Sequence, residues 1–287
     1  SNSQRPVGEF NLLEAHGKEI QVLELEGSLF FGTADGLARR SGKDWTHFTT
    51  RDGLADQWIW SLHCDAEQIL WIGTNAGLSR FDGQQFTSFT TRDGLVDNRV
   101  TDITHDAQGD LWIATHGGVS HFDGRNFVNY TPEDGLINEL VLAVRCDRHG
   151  GVWLGTWRGA SHFDGERFSN FTTEDGLLSD FILGIEADEE GVLWFATEGG
   201  LCRFDDDRLR VLSSRHGLAH TVVSMTCTTQ GEMWFGTELG VYRHVGGPLT
   251  HFASKQGVVG ERAFSITDSA AGVLCVTESG ICRFTGE

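Results

Sequence analysis

Three observations in the sequence predict an all-β fold: a seven-bladed β-propeller of four-stranded antiparallel blades, the last blade closed by the N-terminal strand. The first is a period. Trp71, Trp112, Trp153 and Trp194 stand 41 residues apart, Trp234 and Leu274 follow at intervals of 40, and Phe30 precedes Trp71 by 41. The second is a frame. Three residues after each large side chain comes a threonine (Thr33, Thr74, Thr115, Thr156, Thr197, Thr237, Thr277), and three further on a glycine (Gly36, Gly77, Gly118, Gly159, Gly200, Gly240, Gly280). The third is how the two ends fit. The seventh copy stops after its third strand, at "GICRFTGE" (280–287), while "GEFNLLEAHG" (8–17) resembles the fourth strand and exit of an internal copy, "QQFTSFTTRDG" (84–94). A repeat of about 40 residues with one large aromatic per copy is the signature of a propeller blade.

Each copy reads as four strands in order. In the third copy "VTDITHD" (100–106) is the first, with Val100 and then Ile103 after an extra step. "LWIAT" (111–115) is a nearly continuous apolar run, as in a strand buried on both faces. "VSHFDG" (119–124) is the third strand and ends in an Asp-Gly turn suited to a hairpin. "NFVNYT" (126–131) is the outermost, and "EDGL" (133–136) leads on to the next copy. One such sheet cannot bury large residues on both faces, but seven packed face to face around an axis can. The expected blades are 18–50, 57–91, 98–131, 139–173, 180–213, 221–253 and 261–287 with 8–15, together a single domain over residues 1–287.

The remaining composition narrows the function. The formal net charge of −19 argues against nucleic acid, polyanions or an anionic membrane as partners of the bulk surface. No run of about 18 apolar residues exists to insert in a membrane. The six cysteines (Cys64, Cys146, Cys202, Cys227, Cys275, Cys282) form no CxxC motif, and unpaired they lean toward a reducing, cytoplasmic compartment. Cys275 and Cys282 flank a short turn and are placed to face each other across paired strands.

"LWIGTNAGLSRFDGQQFTSFTTRDGL" (70–95), with "LWIATHGGVSHFDG", "VWLGTWRGASHFDG" and "LWFATEGGLCRFD", resembles the repeat of the two-component regulator propellers over nearly the whole chain. The resemblance implies a sensor like the extracytoplasmic input domains of hybrid histidine kinases, many of which detect glycans. Such sensors commonly carry two propellers, a small β-sandwich and a kinase; with one propeller here, the chain is expected to be part of a larger multidomain protein. A more distant likeness, in "LWFATEGG" (193–200) and "MWFGTELG" (233–240), is to the streptogramin B lyases.

In a propeller, the loops joining second to third strand and those leading into the next blade emerge on one face near the axis. The first class holds the variable pair inside the Thr-to-Gly frame: Ala34-Asp35, Asn75-Ala76, His116-Gly117, Trp157-Arg158, Glu198-Gly199, Glu238-Leu239 and Glu278-Ser279. The second, four residues past the closing Gly-Leu, gives Trp58, Arg99, Leu140, Phe181, Val222 and Arg262. Trp58, Trp157 and Phe181 with Arg99, Arg158 and Arg262 form a face that suits a sugar or planar organic ligand, by stacking and bidentate hydrogen bonding. Asn75, His116, Glu198 and Glu238 complete the candidates. The alternative is that these side chains only plug or rim the channel. His121 and His162 are expected on a strand surface, and "FDDDRL" (204–209) lacks the spacing of a calcium loop. No catalytic motif is present, and no cofactor or metal is implied. The leading expectation is a non-catalytic recognition module for a small molecule, glycan or protein, acting in signal transduction. The alternatives are a lyase or hydrolase using His116 and Glu198, and a protein-protein interaction scaffold.

Overall fold

The computed structural model describes residues 21–25, 28–205, 208–212, 218, 221–252, 262–270, 272–277 and 280–284. They form seven antiparallel sheets in chain order, six of four strands and, among the described residues, a seventh of three. We number the blades 1 to 7. Their first strands are Gln21–Leu25, Ile59–Cys64, Val100–His105, Val141–Cys146, Ile182–Ala187, Val222–Cys227 and Ala263–Thr267. Neighbouring first strands contact one another around the whole ring, blade 7 against blade 1 included, so they line the axis. The expected closing strand at 8–15 lies outside the described residues. No helix among those residues is long and apolar enough to cross a membrane.

The frame residues do what a wedge-shaped blade needs. The second strands of blades 2 to 7, such as Leu111–Thr115, are buried along their full length. Where that strand carries a tryptophan, the indole packs on the following blade: Trp71 meets Val100, Ile113 and Phe122, and Trp112 meets Val141, Leu154 and Phe163. A buried indole still needs an acceptor. Trp71, Trp112 and Trp194 donate to Asp65, Asp106 and Asp188 at 2.8, 3.2 and 3.0 Å. In blade 4 the equivalent Asp147 instead bonds His162 at 2.9 Å. Burial would raise the Asp147 carboxyl, but His162 and the backbone N–H groups of His149 and Gly151 outweigh it and hold it at about 2.

The threonine closes the loop between second and third strands. In blade 3 the Thr115 hydroxyl donates to the Gly118 carbonyl at 2.9 Å and accepts from the Gly117 amide at 3.1 Å. The hydroxyl-to-carbonyl bond recurs in all seven blades. Gly118 is required twice over: its φ is +130°, and a Cβ there would lie 2.3 Å from the Tyr130 carbonyl oxygen. On blade 7 the ladder sets Cys275 opposite Cys282, as their spacing predicts.

Each first strand of blades 2 to 7 carries the same irregularity. In blade 2, Ile59 pairs with Thr74 and Ser61 with Gly73, leaving Trp60 as an extra residue. The same shift singles out Thr101, Leu142, Leu183, Val223 and Phe264. A bulge of this kind re-aims the side chain it inserts. All six line a central channel cavity of about 310 Å³.

Candidate functional site

The loops at the start of the first strands and those between second and third strands share one face, and backbone hydrogen bonds tie them in pairs. The amides of Asn75, His116, Trp157 and Glu198 donate to the carbonyls of Trp58, Arg99, Leu140 and Phe181 at 3.1–3.4 Å. These eight residues therefore crowd the mouth of the channel, blade by blade. Val222 does not join them. The interval between blades 5 and 6 is 40 rather than 41, so Thr221 holds the loop position and Val222 begins the strand, fully buried.

Three clusters result. On blades 2 and 3, Trp60 donates its indole N–H to Asn75 Oδ1 at 2.8 Å, and Arg99 Nε donates to the same oxygen at 3.0 Å. Arg99 Nη1 lies 3.4 Å from His116 Nδ1. Because arginine only donates, that nitrogen is the acceptor, and His116 is neutral. Burial and then the Arg99 charge lower its pKa, against a smaller opposing pull from Asp97. Trp58 stands 6.0 Å from Trp60, ring to ring. On blades 4 and 5, the half-exposed Trp157 meets Phe181 edge-on at 5.2 Å. On blades 6 and 7, Arg262 forms an ion pair with Glu238 and lies 5.7 Å over the Phe264 ring. Arg158 and Glu198 project as exposed side chains. Glu278 lies outside the described residues.

Deeper in the channel lies a charged layer that the sequence reading did not identify. Asp102 accepts from Ser61 of blade 2 at 3.3 Å and from the Val144 amide of blade 4 at 3.0 Å. Arg145 pairs with Glu186 of blade 5 at 2.7 Å. Burial raises both carboxyls while Arg145 opposes it. Beside them His63 Nε2 meets His105 Nδ1 at 2.8 Å. Burial first, then His105 and Arg145, push the His63 pKa down to about 4. Below pH 6.5 an unfolded chain takes up a proton at this histidine that the folded chain refuses until about pH 4, so stability falls as pH drops through that window. The loss expected is about 2–3 kcal/mol, from ~1.4 kcal/mol per pKa unit. Urea titrations at pH 7 and 4.5 check it, and His63→Asn should remove that increment.

The opposite face carries grooves between blades 2 and 3, 4 and 5, and 6 and 7, of about 600, 390 and 430 Å³. His121 and His162 sit there, their rings 4.6 Å from those of Trp112 and Trp153. His121 also approaches Asp106 and Asp110 at 3.5 and 3.4 Å. His116 and Glu198 belong to blades 3 and 5, and neither lines any of these four cavities.

Segments 53–76, 94–117 and 176–199 match the family model of the two component regulator propeller. Each runs from the closing Gly-Leu to the variable pair, and so spans both mouth loops of blades 2, 3 and 5. No curated protein matches the chain. Among solved structures, the chain resembles the extracellular domain of BT3049 from B. thetaiotaomicron, assigned as a hybrid two component system, at 20% identity and a TM-score of 0.83, covering 94% of this chain and 39% of that one. The extracellular domain of BT4673 from the same organism gives 20% and 0.79, with 97% and 42% covered. An inactive variant of virginiamycin B lyase from Staphylococcus aureus, solved with quinupristin, gives 12% and 0.72, with 92% of each chain covered. At these identities the likeness is one of fold. The chain spans about two fifths of the length of these two extracellular domains.

Proposed function

We propose that this chain, whose repeats match the two component regulator propeller in three places, is a non-catalytic recognition module that binds a small molecule, glycan or protein at its mouth. It would serve as the sensing or interaction part of a larger signalling protein. The observation that carries the reading is the cluster built on the Asn75 amide oxygen, which Trp60 and Arg99 share, with His116 against Arg99 and Trp58 beside the Trp60 ring. Exposed aromatic faces beside a guanidinium are costly to leave in water and well suited to a ligand. Exposure of Trp58 and Trp157, at 37% and 51%, adds to it. The BT3049 and BT4673 domains that share the fold are extracellular, which favours an extracytoplasmic setting and lends no support to the cytoplasmic lean drawn from the cysteines. A lyase reading needs a general acid beside a base in one cavity, and the separation of His116 from Glu198 by two blades gives it no support.

The test is binding to a panel of glycans, small molecules and neighbouring proteins by calorimetry. Trp58→Ala and Trp157→Ala are each expected to weaken a confirmed partner about tenfold, close to 1.4 kcal/mol. Thermal unfolding should stay unchanged, because both side chains are exposed. Wild-type affinity in both variants, with loss on altering an opposite-face groove, would overturn the reading.

A further inference from the structure

We infer that Arg99 is an oxyanion receptor at the rim of the channel, and that the ligand it selects is a monoanionic carboxylate borne on a flat ring. The inference rests on recognition at the mouth and names the chemistry of the ligand there.

Arginine presents five N–H donors in a rigid fork. At Arg99 the Nε–H goes to Asn75 Oδ1 and one Nη1–H goes to His116 Nδ1. Both acceptors are neutral, so they orient the guanidinium without cancelling its charge. No carboxylate of the described residues forms an ion pair with it, although the chain carries 41 acidic residues against 22 lysines and arginines. Asp97, two residues back, receives the backbone amide of Arg99 at 2.8 Å instead. Arg262, at the equivalent place on blade 7, is the contrasting case: its charge is satisfied by Glu238. Arg99 therefore holds three N–H groups, both of Nη2 among them, ready for a planar oxyanion.

The neighbouring side chains set the rest of the ligand. Trp60 shares the Asn75 oxygen with Arg99 and lines the channel. Trp58, exposed beside it, offers a flat apolar face. A ring laid on this face brings a carboxylate substituent to the fork. The charge of the anion follows from the setting. One guanidinium in a chain of net charge −19 balances a single negative charge, so a monoanion is favoured over a phosphate dianion.

Benzoate, benzamide and inorganic phosphate are the probes, titrated at pH 7 while the indole ¹H–¹⁵N signals are followed, that of Trp60 assigned with Trp60→Phe. Benzoate is expected to shift the Trp60 signal saturably, and benzamide at equal concentration to leave it in place. Arg99→Gln should weaken the benzoate response at least tenfold with the rest of the spectrum unchanged, and Arg99→Lys should restore only part of it. Equal responses to benzoate and benzamide, no benzoate response, a benzoate response that survives Arg99→Gln, or phosphate binding more tightly than benzoate would each overturn the inference. Its failure is separable from that of mouth recognition. If a panel ligand depends on Trp58 and Trp157 but is indifferent to Arg99→Gln, the carboxylate assignment falls and recognition stands. If the tryptophan variants bind as wild type, recognition falls whatever benzoate does.

Discussion

Arg145→Met is expected to destabilise the ring by about 3 kcal/mol, the lower end of the range for breaking a buried ion pair by removing one partner. The substitution keeps the stem of the side chain and removes only its charge and its donors. Glu186 then loses its 2.7 Å partner and Asp102 the positive charge that opposes its burial. The lower end applies because the channel admits some water: the side chains of Arg145 and Glu186 are 30% and 19% exposed. The network also ties blades together, since Asp102 reaches Ser61 of blade 2 and the Val144 amide of blade 4. The urea midpoint measures the loss. Arg145→Met combined with Glu186→Gln should recover a large part of it, because the orphaned charge is then gone. A loss below about 1 kcal/mol in the single variant would mean that the pair is worth no more than one on an open surface.

Gly118→Ala is the second large effect, expected to cost about 3 kcal/mol or more. Backbone strain for a side chain at a sparsely populated φ/ψ accounts for about 1–3 kcal/mol. The remainder comes from the new methyl group, placed 2.3 Å from the Tyr130 carbonyl, a backbone atom locked in the blade's outer ladder. Gly124→Ala separates the two contributions. Its φ is +87° and nothing lies within 4 Å of a Cβ there, so it bears strain alone. Thermal denaturation of the two variants should differ clearly, Gly118→Ala unfolding first. Equal losses would show that the frame glycine is a matter of backbone conformation and not of close approach.

These two sites also mark where sequence and structure part company. The Trp, Thr and Gly positions are legible because each answers to a demand repeated in every blade, and repetition makes a demand visible. The charged layer is not, because Asp102, Arg145 and Glu186 each occur in one blade and meet only through the curvature of the ring. Arg262 illustrates the same limit: its partner Glu238 stands 24 residues away, on the loop of the preceding blade. Thr221 was hidden by a repeat one residue short, which moved the expected position onto buried Val222. The bulge left a trace, the extra step between Val100 and Ile103, but strict alternation reads such a step as a lapse in the pattern rather than as a residue turned toward the axis.

That turned residue has a consequence for how such a ring can change over generations. Trp60, Thr101, Leu142, Val223 and Phe264 stand outside the alternation that fills the wedges between blades, whereas Leu183 also packs on the apolar wedge between blades 5 and 6. Mutation can replace an aromatic at one of them, or a polar group at the next, with little penalty to the packing that makes the ring. Five addresses of this kind form a small combinatorial lock inside a housing built from one repeated frame. The lining of the channel can then change one blade at a time while the tryptophan, threonine and glycine that hold each blade together are left alone.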